Sequence, residues 1–78
     1  MNKRQIHARL IEQGLTFRQF ALAKGYDPRT VTQTVARWAG SHDMPHGRIA
    51  ISIMRDLSKQ LGVELIPGLL AHPLAHAS

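Results

Sequence analysis

Arg29 and Gln33 stand four residues apart, and a guanidinium and a carboxamide are the groups that pair bidentately with guanine and adenine edges. Pro28 and Thr32 lie beside them, and a threonine methyl suits the methyl group of thymine. Arg18 and Arg37 carry the kind of charge that positions a protein on phosphates. His46, Gly47 and Arg48 form a small group able to hold one more phosphate, and Lys3, Arg4 and Arg9 add charge near the start of the chain. Other chemistry is poorly served. His42 with His46, and His72 with His76, have the spacing of paired metal ligands on a helix. Pro45 and Pro73 interrupt both intervals, and no carboxylate or thiolate completes either set at a familiar spacing, so no metal and no cofactor is expected. The absence of cysteine excludes a disulfide framework, a thiolate zinc site and a Cys nucleophile. Ser, His and Asp occur without a nucleophile elbow or a Gly-rich phosphate loop, and a chain of 78 residues rarely encloses a pocket. Neither catalysis nor a small-molecule substrate is expected.

The elements that must position these residues are marked by local signals. Ile6 and Leu10, four apart with Ile11 beside them and Gly14 following, predict a first helix over 3–13. Thr16 and Gln19 make a capping box, and Leu15 before the cap can close over Phe20. A second helix over 17–24 follows, ended by Gly25. Asp27 caps again, with Pro28 at the first helical position, where its missing N–H costs nothing, and the third helix runs to about Trp38. So short a connection forces a sharp turn between helices two and three, a helix-turn-helix signature over about 17–37. At about 100° per residue, Val31, Thr34, Val35 and Trp38 share the inner side of helix three, whereas Arg29, Gln33 and Ala36 point away, with Thr32 and Arg37 on the flanks. After a loop over 39–47 comes an amphipathic helix over 48–61. Its predicted buried stripe is Ile49, Ala50, Ile53, Met54, Leu57 and Leu61, Ile51 lies outside the stripe, and Gly62 is the C-cap. Phe20 and Trp38 lie on core stripes, which argues against a single-strand stacking platform built with Phe17 and Tyr26. Leu22, Ile51, Leu69, Leu70 and Leu74 are left over as candidates for a subunit interface.

The formal net charge is +5, and all of it lies within residues 1–40, the rest of the chain being balanced. Such asymmetry points to an anionic partner. No signal-peptide core follows the basic start, and Pro67, Gly68, His72 and Pro73 break the uncharged stretch after residue 64, so a cytoplasmic protein with no membrane association is expected.

The string FRQFALAKGYDPRTVTQTVA, from Phe17 to Ala36, resembles the helix-turn-helix repressors of the lambda type. Taken with the preceding segment from Ile6 to Leu15 and the later one from Leu57 to Ile66, it is similar to the small Ner-like regulators of Mu-like phages and prophages. Lys24 and Thr34 depart from that pattern, which usually has apolar residues there. The resemblance implies an all-α, compact, four- to five-helix domain over residues 1–66 with a short irregular C-terminal tail over 67–78. It also implies base contacts at Pro28, Arg29, Thr32 and Gln33, in a regulator of transcription that binds double-stranded DNA as a homodimer on a pseudo-palindromic site. A different class of function, a protein-interaction or antitoxin-like adaptor module on the same scaffold, is the alternative.

Overall fold

The structure is a computed structural model and describes residues 1–71. It contains four α-helices, α1 (Lys3–Glu12), α2 (Phe17–Lys24), α3 (Pro28–Trp38) and α4 (Arg48–Leu61), and no strand among the described residues. No helix among them is long and apolar enough to cross a membrane.

The helix starts follow from side-chain capping. Thr16 accepts from the Gln19 amide at 3.1 Å while the Gln19 carboxamide accepts from the Thr16 amide at 3.0 Å, which satisfies two first-turn donors reciprocally. Asn2 and Gln5 form the same box at the start of α1, a signal the sequence reading missed. Asp27 accepts from the amides of Arg29 and Thr30 at 2.8 and 3.3 Å, with Pro28 at the first helical position. The stop of α2 is equally local. Gly25 adopts φ +80°, a left-handed conformation in which a Cβ is penalised, and this lets the Tyr26 amide reach back to the Ala21 carbonyl at 2.8 Å. The Tyr26 ring then lies 6.5 Å from that of Phe20, the apolar contact that accompanies such a stop.

The core collects Ile6 and Leu10 from α1, Phe20 and Ala21 from α2, Val31 and Val35 from α3, and a broad stripe of α4. That stripe differs from the predicted one. Ile51 is buried at 3% exposure, whereas Ile49 is 61% exposed. Ser58 explains the rotation. Its hydroxyl donates to the Met54 carbonyl at 2.8 Å and accepts from the Leu65 amide at 3.1 Å, so the segment after α4 folds back on the side of α4 that Ser58 occupies. Ile51 lies seven residues earlier on that same side and is covered, while Ile49 is about 140° from Met54 around the helix and is not. The Glu64 carboxylate holds the returning segment by accepting from the amides of Gly68 and Leu70 at 3.0 and 2.9 Å. Leu65, Ile66 and Leu69 enter the core as a result. Ile51 and Leu69 are therefore core residues and not interface candidates, and the core includes a residue of the predicted tail. Leu22 remains exposed, Leu70 is half-buried, and Leu74 lies outside the described residues.

Candidate nucleic-acid interface

Helix α3 is an 11-residue element, about 16 Å long, with one side sealed and the other open. Val31 and Val35 are fully buried, Thr34 is half-buried, and Trp38 is half-buried against the core. Arg29, Gln33, Ala36 and Arg37 are exposed. Arg29 and Gln33, one turn apart, are neighbours on the open side, and the small Ala36 one further turn along leaves room for a bulky partner to approach the helix. Pro28 and Thr32 are half-buried at the margin. The Thr32 hydroxyl donates to the Pro28 carbonyl at 3.0 Å, so toward a partner it offers an acceptor and a methyl, not a proton.

Two contacts fix how this helix is presented. The Schellman turn at Gly25 sets its entry, and a polar tie anchors that turn to α4. Tyr26 Oη donates to Asp56 Oδ2 at 2.6 Å, and Asp56 Oδ1 accepts from the Arg55 guanidinium at 3.2 Å. Burial pushes the Tyr26 phenol up from 10.0 to about 12, and the neighbouring Asp56 carboxylate adds to the rise by accepting its proton and opposing a phenolate; Arg55 and Ser52 act in the other direction. At the far end of α3, the Arg37 guanidinium lies 5.2 Å over the centre of the Trp38 ring. The His46 ring lies 5.3 Å from the same indole at a tilt of 50°.

The remaining predicted residues are placed as follows. Arg18 is exposed in the first turn of α2, next to Phe17, whose ring stacks on His7 of α1 at 5.3 Å. His46 is exposed in the loop before α4, and Arg48 is exposed at the first residue of α4. Among the described residues the only ion pair is Arg55 with Asp56. The basic residues of the first half, Lys3, Arg4, Arg9, Arg18, Lys24, Arg29 and Arg37, are all exposed, and among the described residues none has a carboxylate within 4 Å. A surface built this way repels itself and attracts polyanions.

An open groove of about 430 Å³ lies elsewhere, between Gln5, Ala8, Arg9 and Glu12 of α1 and the Leu61–Val63 stretch, and no residue of α2 or α3 lines it. Among the described residues no group of three or more His, Asp or Glu side chains is placed to hold a metal ion. His72 and His76 lie outside the described residues. Asp56, Arg55 and Ser58 carry no motif in the sequence that points to these roles. An Arg-Asp neighbour pair on a helix is commonplace, and the contacts that give Asp56 and Ser58 their roles come from Tyr26, thirty residues away, and from the Leu65 amide of the returning segment. Comparisons with family models, curated proteins and solved structures gave no match.

Proposed function

We propose that this chain is a sequence-specific binder of double-stranded DNA that regulates transcription, with α2 and α3 acting as a helix-turn-helix of the lambda-repressor type and α3 entering the major groove. The observation that carries this reading is the exposure of Arg29 and Gln33, one turn apart, on a helix whose opposite side holds the fully buried Val31 and Val35. A helix is about 10–12 Å across with side chains and the major groove about 12 Å wide, so the open side of α3 can reach base edges. Arg29 reads guanine, Gln33 reads adenine, and Thr32 touches a thymine methyl at the margin. Arg18 at the start of α2, Arg37 at the end of α3 and Arg48 at the start of α4 hold the backbone on either side. One such helix reads few base pairs, so two copies occupy a pseudo-palindrome with recognition helices about 34 Å apart. Occupation of such a site represses by exclusion and requires no bound small molecule.

The test is selection of bound duplexes from a random pool, followed by affinity measurements on selected and scrambled sequences. Arg29→Ala is expected to weaken the selected duplex by about 1–3 kcal/mol and to relax preference at one base pair. Arg18→Ala is expected to weaken all duplexes alike and to reduce the salt slope by about one. Equal losses on selected and scrambled DNA for Arg29→Ala would refute the assignment of base reading to α3.

The exposed aliphatics Leu22 and Ile49, at 60% and 61%, favour a second reading, a protein-interaction module. Apolar burial is not screened by salt, whereas DNA binding weakens steeply between about 50 and 200 mM. Partner binding that persists at high salt, with no duplex selected, supports the second reading over the first.

A further inference from the structure

Trp38 brings together two exposed side chains that lie nine residues apart in the chain. The Arg37 guanidinium is 5.2 Å from the indole centre and the His46 ring 5.3 Å from it, so the two groups lie no more than about 10.5 Å from each other. An indole face attracts cations through its quadrupole and suits both a guanidinium and an imidazolium. Contact with it limits the rotamers of two groups that would otherwise move freely, so less ordering remains to be done when a ligand arrives. At the ends of the elements that meet here the charged and titratable groups are Arg37 on α3, Arg48 on α4, and His42 and Asp43 in the loop, whereas Arg29, Arg55, Asp56 and Lys59 lie further along the two helices. The Met1 carbonyl oxygen lies close to Gly40, at the start of that loop. Among the described residues no carboxylate lies within ion-pair distance of His46 or Arg37.

We propose that Arg37, Trp38 and His46 form a seat for the sugar-phosphate backbone of DNA at the end of α3, in which a proton taken up by His46 supplies the second positive charge. This rests on the DNA-binding reading and adds to it a residue, Trp38, and a control, pH. Imidazole is the side chain that changes charge between pH 5 and 8. The protonated form meets phosphate with a full positive charge and the neutral form with no more than a neutral N–H donor, so by linkage DNA binding draws a proton onto His46, and affinity falls as pH rises.

The experiment uses a mixed-sequence duplex, because a backbone contact is indifferent to base sequence. Affinity is measured over a range of salt at pH about 5.5 and about 8, the interval across which imidazoles as a class change charge. One additional phosphate contact steepens the dependence of log K on log salt by about 0.9, so between 50 and 200 mM the wild type should lose about 3.5-fold more affinity at the lower pH than at the higher. His46→Gln is expected to show the shallower slope at both values, Arg37→Gln to lose about 0.9 of slope at both, and His42→Gln to behave as the wild type. Trp38 is the single tryptophan, and an imidazolium against an indole quenches its emission. Without DNA, emission should therefore fall as the protein is acidified in the wild type and not in His46→Gln. Equal wild-type slopes at the two pH values, a pH dependence that survives His46→Gln, or emission indifferent to acid would each overturn the seat while leaving DNA binding intact. Absence of binding to any duplex at either pH overturns the DNA reading and the seat together.

Discussion

The tie between the turn and α4 makes a prediction whose size follows from its geometry. Tyr26→Phe removes one oxygen and, with it, the 2.6 Å hydrogen bond to Asp56. The rise of the phenol from 10.0 to about 12 measures how much better the folded protein holds the protonated form than water does. At about 1.36 kcal/mol per pH unit the ceiling on burial and hydrogen bond together, burial being the larger cause, is about 2.7 kcal/mol. The phenol is partly exposed and solvent screens part of this, so about 1.5 kcal/mol is expected at neutral pH, within the range for a hydrogen bond to a charged group. In a domain of this size that lowers Tm by about 6–12 °C. The sign of the pH effect is fixed. Because the folded value is the higher one, the contribution is fully present below pH 10, is lost progressively as pH rises from there toward 12, and is gone above it. Thermal or urea unfolding of the two proteins as a function of pH should therefore show a gap that closes in strong alkali. The chain has one tyrosine, so the growth of phenolate absorbance reports Tyr26 alone, with a midpoint expected near 12. A midpoint near 10, or a variant as stable as the wild type at neutral pH, would refute the argument.

Two further substitutions test the local structure. Ser58→Ala leaves the buried Leu65 amide without its acceptor and should cost about 1–3 kcal/mol by urea unfolding, and a neutral effect would mean that the returning segment is not held there. Gly25→Ala forces a Cβ into a φ of +80° with no neighbour within 4 Å to clash, so its cost, about 1–2 kcal/mol, is backbone strain alone; Gly25→Asn, better tolerated in that region, should recover part of it.

Much of this architecture was legible because its determinants are local. Thr16 with Gln19, Asp27 with Pro28, and Gly25 each announce a helix end within four residues of where it falls, and the predicted bounds of α2, α3 and α4 coincide with those observed. The open side of α3 followed from the same periodicity that buries Val31 and Val35. In α4 periodicity was a weaker guide. Ile49, Ile51 and Ile53 are chemically alike, and the choice among them is made by a segment that returns from beyond Gly62, held by the hydroxyl of a serine that reads as surface-forming in the sequence. The contacts around α3 were hidden for a related reason: Tyr26 and Asp56 are thirty residues apart, and His46 meets Trp38 only once the loop between α3 and α4 has closed.

The burial of Leu69 bears on how the molecule is made. Three of its core side chains, Leu65, Ile66 and Leu69, are synthesised after α4 is complete. While they are still inside the ribosomal exit tunnel, the side of α4 that carries Ile51 and Ser58 has nothing to cover it, and the Leu65 amide that Ser58 binds has not emerged. Native packing must therefore wait until nearly all of these residues have left the tunnel. Until then the nascent chain offers an apolar strip on α4 beside a cationic first half that neighbouring RNA attracts.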